Sequence, residues 1–175
     1  GYMPGRFSLY PDLTVKENLE FFATLFGTRL EDNYDLIRDI YVQIEPFRSR
    51  RAGRLSGGMK QKLALCCALI HRPRVLFLDE PTTGVDVVSR HEFWDMLSGL
   101  KRQGITMLVS TPYMDEAVRC DRIALIQSGR LLSIDTPRGI IENYPDALFE
   151  VRAENMRQLT DEIRKRCSPQ SCFAF

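Results

Sequence analysis

Apolar residues recur along this chain at two spacings, and the switches between them mark out its elements. Between 16 and 27, Leu19, Phe22, Ala23 and Phe26 fall on one helical face, and Thr14 with Glu17 three residues on forms a capping box at its start. The helical period continues over 31–44 through Leu36, Ile37, Ile40 and Ile44, and the aromatic residues Phe21, Phe22 and Phe26 read as core. Residues 59–70 repeat the period at Leu63, Leu65, Ala68 and Leu69. His71, Arg72 and Pro73 end that helix, because proline cannot continue it and cations suit its C-terminal end.

The spacing then changes. Val75, Leu76, Phe77 and Leu78 are consecutive apolar residues, the pattern of a strand buried on both faces of a parallel sheet. An amphipathic helix is predicted over 89–103, with Phe93, Trp94, Leu97 and Leu100 toward the sheet and His91 on the polar side. Gly104 breaks it, and 105–110 is a further apolar strand. The remainder reads as a short helix over 114–120, a strand over 122–127, a turn into a strand at 131–134, and a helix capped by 135–137 and running to Ile141. Strand, helix and strand follow over 147–152, 156–166 and 171–175. Strands and helices in this alternation predict an α/β protein with a parallel sheet core.

Size and charge narrow the field. A chain of 175 residues buries one core, and 24 basic against 23 acidic residues leave a net charge of +1, which gives no support to a nucleic-acid or membrane-surface role. Arginines cluster only at 48, 50, 51 and 54, which reads first as a solvated loop and second as a docking patch. The five cysteines have no zinc-like spacing and no signal peptide ahead of them, so they read as reduced thiols, with Cys66 and Cys67 as core fillers. The longest apolar run, 63–70, is far short of the ~20 residues that span a bilayer.

Candidate chemistry gathers between 55 and 86, in LSGGMKQKLALCCALIHRPRVLFLDEPTTGVD. Ser56, Gly57 and Gly58 stand at the start of the predicted helix, where backbone amides, a hydroxyl and the positive end of the helix dipole can meet an anion. Asp79 and Glu80 lie at the carboxyl end of the predicted strand, the edge at which open α/β sheets bind ligands. Two adjacent acids there point to metal and water chemistry rather than to capping of the next helix.

These motifs together resemble the second half of an ATP-binding cassette, the nucleotide-binding domain of ABC transporters. LSGGMKQ is similar to the signature motif, VLFLDE to the Walker B strand with its glutamate, and TTGVD to the D-loop. The bacterial efflux type is the nearest in flavour, on DEPTTGVD, SRHEFWDML and STPYMDEA. The resemblance implies the C-terminal part of a P-loop NTPase fold. It divides the chain into a hinge loop (1–10), an all-α signature subdomain (11–70), half of a RecA-like core (71–145) and a small C-terminal α+β extension (146–175). It further implies an ATPase acting at the cytoplasmic face of the inner membrane as a peripheral subunit or domain of an exporter. Its partners would be a second cassette, on the same or a different chain, and a transmembrane permease, with no nucleic acid.

By the same resemblance Asp79 serves Mg²⁺ and Glu80 is the catalytic base. Ser56, Gly57, Gly58 and Gln61 hold the γ-phosphate of ATP bound to the partner cassette, and Asp86 lies across the dimer interface. Three departures qualify this. Gly5 stands where GYxPQ would place a metal-binding glutamine, Pro112 stands where a γ-phosphate histidine is usual, and no G-x-x-x-x-G-K loop is present. Tyr113 or Thr111 could replace the missing histidine. The chain is accordingly expected to be a fragment that starts after the phosphate-binding loop, inactive and without tight ATP binding by itself. The impaired Walker B side and intact signature further predict an asymmetric pair of cassettes, or else a regulatory cassette that binds ATP with little hydrolysis.

Overall fold

The computed structural model describes residues 1–6, 8–143 and 154–166, in two compact units that divide after Pro137. The first unit holds β1 (Tyr2–Met3), α1 (Val15–Leu25), α2 (Tyr34–Tyr41), α3 (Gly57–Leu69), β2 (Val75–Asp79), α4 (Val87–Arg102), β3 (Thr106–Ser110), α5 (Met114–Ala117), β4 (Ile123–Gln127) and β5 (Arg130–Asp135). α6 (Pro137–Glu142) starts at the unit boundary, and α7 (Met156–Arg166) belongs to the second unit. The strands expected over 147–152 and 171–175 lie outside the described residues. No helix among the described residues is long and apolar enough to cross a membrane.

Each early helix begins and ends for a local reason. The Thr14 hydroxyl accepts from the Glu17 amide at 3.2 Å while the Glu17 carboxylate accepts from the Thr14 amide at 2.7 Å, so the capping box forms as predicted. The Thr14 amide and, at 2.8 Å, the Thr14 hydroxyl both donate to that carboxylate and hold the Glu17 carboxyl below its usual range. The helical stretch expected over 31–44 is interrupted: a 3₁₀ turn covers Glu31–Asn33, α2 ends at Tyr41, and a second 3₁₀ turn at Glu45–Phe47 contains Pro46. α3 ends at Leu69 without a basic residue in its last turn; instead the Asn33 amide donates to the Ile70 carbonyl at 2.8 Å. α4 ends in a Schellman arrangement, with Gly104 at φ +87° and Ile105 and Gly104 donating to the Leu100 and Lys101 carbonyls.

The three α-helices α1, α2 and α3 pack around Val15, Leu19, Ile37, Ile40, Leu63 and Leu69, all buried. Each such side chain contributes on the order of 1.5–3 kcal/mol by leaving water. α3 is apolar on most of its circumference, Cys66 and Cys67 included, because it is packed between the other helices and the sheet. Burial pushes both thiols well above their usual pKa, with each other's proximity adding to it at Cys67. Phe21 and Phe26 correct the expectation of core aromatics. They are 39% and 47% exposed, since Val15, Leu19 and Ala23 fill the inward face of α1; Phe21 meets Tyr10 edge-on and Phe26 stacks on His71.

The sheet runs β1–β2–β3, all parallel, with β2 central. Leu76 and Leu78 face the core at 0% and 2% exposure, whereas Val75 and Phe77 are 41% and 48% exposed. The expectation of a strand buried on both faces is therefore wrong here. Register explains the pattern: Tyr2, Phe77 and Leu108 are mutual partners across the three strands and form one open apolar row, with no layer over it among the described residues. β4 and β5 make a separate antiparallel hairpin. The four clustered arginines are exposed, and the Arg48 and Arg50 carbonyls accept from Lys16 and Val15 at the start of α1, so the loop holds this helix start while its side chains stay in solvent.

Candidate active site

Parallel pairing sets Asp79, the last residue of β2, opposite Ser110, the last of β3. At that shared end the Ser110 hydroxyl donates to Asp79 Oδ1 at 2.7 Å and accepts from the Glu80 amide at 3.0 Å, an amide that also reaches the Ser110 carbonyl at 3.1 Å. Glu80 sits at φ +44°, in the left-handed region that non-glycine residues seldom occupy, and the chain turns there off the sheet. Its Oε2 accepts from the Thr83 hydroxyl at 3.0 Å. Both carboxylates are exposed to solvent. Sequence reasoning missed Ser110 and Thr83. An i+3 search from Glu80 would have found Thr83, whereas Ser110 has no local signal because its role depends on the pairing of β3 with β2.

The second cluster lies at the opposite kind of terminus. Ser56 is the N-cap of α3 and accepts from the Met59 amide at 3.4 Å; Ser56 and Gly57 are exposed, Gly58 and Gln61 half-buried. Glycine at 58 lets the bend pack closely on α4. A Cβ there would lie 2.9 Å from Ser89 Oγ and 3.1 Å from Ser89 Cβ, in the first turn of α4. Asp86 caps that same turn by accepting from the Ser89 amide at 3.0 Å, which draws its carboxyl below the usual range, and it too is exposed. The D-loop and the glycine bend are thus neighbours through Ser89.

A third group binds the loop after β2 to the loop after β3. Glu116, only 3% exposed, accepts from the Thr82 hydroxyl at 2.7 Å and from the Thr111 hydroxyl at 2.6 Å, and faces Arg90 at 3.9 Å. Arg90 also lies 4.4 Å over the Tyr113 ring. Thr111 and Tyr113, the two residues that could have replaced the histidine missing at Pro112, are therefore both engaged internally. Gly5 approaches the acid pair as closely: a Cβ on it would stand 2.8 Å from the Asp79 carbonyl oxygen.

The donors suit a hard cation shared with phosphate. Among the described residues no three His, Cys, Asp or Glu side chains converge on one point, so Asp79 supplies hard oxygen without a closed cage. Mg²⁺ is commonly held in this way, by one or two carboxylates with phosphates and water completing its shell.

Comparison with known proteins places these features in a family. A family model described as ABC transporter matches residues 1–83, the span that ends just after the acid pair. The probable multidrug ABC transporter ATP-binding protein YbhF of Escherichia coli (strain K12) is 44% identical over 151 residues, which cover 85% of this chain and 26% of that protein. The Nod factor export ATP-binding protein I of Burkholderia thailandensis is 38% identical over 184 residues, covering 100% of this chain and 60% of that one. The chain thus spans from a quarter to three fifths of the length of these relatives. Among solved structures, a dimeric bacterial ABC transporter cassette superposes with a TM-score of 0.67 at 26% identity, covering 79% of this chain and 63% of the other. CbiO1 of Clostridium perfringens superposes at 0.70 with 22% identity over 97% of this chain and 64% of its own, a likeness of fold. Over most of its length the chain is similar to the ATP-binding cassettes of ABC transporters.

Proposed function

We propose that this chain forms the signature and Walker B portion of an exporter's ATP-binding cassette, in which two cassettes closing on ATP drive transport through a membrane permease. The observation that carries the reading is the exposed Asp79 and Glu80 pair at the carboxyl end of β2, joined through Ser110. Mg²⁺, when bound, would neutralise charge on the transferring phosphoryl group. Asp79 would hold it, and Glu80 would take a proton from attacking water. Ser56, Gly57, Gly58 and Gln61 would serve the nucleotide of the opposite cassette, whose amides and hydroxyl at a helix start suit a phosphate. Asp86 would lie at the contact between the two. Relatives named for multidrug and Nod factor export, and a neighbour solved as a dimer, support an exporter with paired cassettes; this cassette would work at the cytoplasmic face of the membrane.

The test is hydrolysis by the full-length protein. Glu80→Gln should lower turnover about 100-fold or more while leaving nucleotide binding in place; unchanged turnover would remove Glu80 from the reaction.

A second reading has its own support. Gly5 and Pro112 supply no ligand, and Thr111 and Tyr113 are held by Glu116 and Arg90, so the site built on this chain's own acids is short of contacts. The glycine bend, which would serve the other site, has no such defect. The cassette would then pair with an unlike partner that carries most of the hydrolysis. Brisk ATP turnover by a homodimer, abolished by Glu80→Gln, would exclude this asymmetry.

A further inference from the structure

The Ser110 hydroxyl has one proton and two neighbours of opposite kind. The Asp79 carboxylate can only accept, and the Glu80 amide can only donate, so the hydroxyl must point at Asp79 Oδ1, 2.7 Å away, and turn a lone pair toward the Glu80 nitrogen, 3.0 Å away. One side chain thereby fixes the carboxylate of one acid and the backbone of the next. The second bond bears on a residue at φ +44°, where Glu80 needs an external hold to keep its backbone in place. Nothing in helix or sheet formation demands a hydroxyl at this position. Ser110 is exposed, and the backbone pairing of β2 with β3 does not involve its side chain.

We propose that Ser110 is a positioning residue for the acid pair: through its hydroxyl it orients the Asp79 carboxylate toward the metal of a bound metal–nucleotide and fixes the turn that aims Glu80. The proposal rests on the reading of Asp79 as the residue that serves the metal. Groups that orient a metal-binding carboxylate typically alter metal affinity 10- to 100-fold when removed.

The experiment uses the full-length protein, Mn²⁺ as the probe and a non-hydrolysable ATP analogue, with free Mn²⁺ read by electron paramagnetic resonance. Ser110→Ala should weaken nucleotide-dependent Mn²⁺ binding about 10-fold or more, with Ser110→Thr, which keeps the hydroxyl, within about 3-fold of the parent. Ser110→Cys retains the size but replaces the donor with a weak one, and should behave like the alanine variant. Thermal melting of each variant separates lost folding from lost affinity, and the cysteine and threonine variants carry the comparison if alanine does not fold. Equal Mn²⁺ affinity in the parent, alanine and cysteine variants would overturn the role of Ser110 and leave the reading of Asp79 standing. Equal loss in the threonine variant would also overturn it, since packing rather than the hydroxyl would then matter. A parent that binds no Mn²⁺ with the analogue would overturn the reading of Asp79 and the proposal with it.

Discussion

At Gly5 the loss of a side chain is matched by the loss of room for one. The built Cβ stands 2.8 Å from the Asp79 carbonyl, a backbone atom that cannot swing aside like a side-chain tip. Supplying a glutamine there would therefore move the backbone of Asp79 before it could add a ligand. Gly5→Gln in the full-length protein is expected to lower the melting temperature by several degrees and leave ATP turnover no higher than in the parent. Turnover that rises without loss of stability would mean that the loop shifts freely. The same economy of space holds at Gly58 against Ser89, where a larger residue would press on the turn that Asp86 caps.

Among the elements, α1 shows which features a sequence reveals. Its start was legible because Thr14 and Glu17 are local partners, the helix behind the glycine bend was legible from its period, and the strand ending in Asp79 from a run of consecutive apolar residues. Features that depend on distant partners were not. Phe21 and Phe26 obey the helical period yet stand outside, because a period gives a face and not what covers it. Ser110 was invisible because its meaning comes from β3 lying in register with β2, 31 residues away. Asn18 is a third case. It is fully buried in α1, its amide donating to the carbonyls of Tyr10, Leu13 and Thr14 and its oxygen accepting from the Tyr10 amide, so one polar side chain ties the preceding loop to the helix. Asn18→Leu, which has similar size and no polar atoms, should cost about 2 kcal/mol by stranding these backbone groups. Urea unfolding measures it, and a loss under about 0.5 kcal/mol would show that water reaches them instead.

On the scale of the whole molecule, a glycine bend and an acid pair occupy different ends of different elements and share no residue. This is what a protein needs if one cluster serves its own nucleotide and the other a neighbour's. The D-loop, packed through Ser89 against the bend and separated from Glu80 only by Pro81, is the short path between them. The network of Thr82, Thr111, Arg90 and Glu116 fastens that path to the exit of β3, so displacement of either loop strains the other.

The row of Tyr2, Phe77 and Leu108 bears on how the chain behaves in a test tube. Three large side chains, 48–63% exposed on adjacent strands, make a greasy strip of the kind that soluble monomers rarely leave wet. Prepared by itself, the chain should light up a dye such as ANS in its native state and grow in apparent mass as it is concentrated. Phe77→Lys should dim the dye and slow that growth with little effect on melting, because no neighbouring layer among the described residues is given up. Handling losses, rather than faulty folding, would then limit what can be made of this polypeptide in isolation.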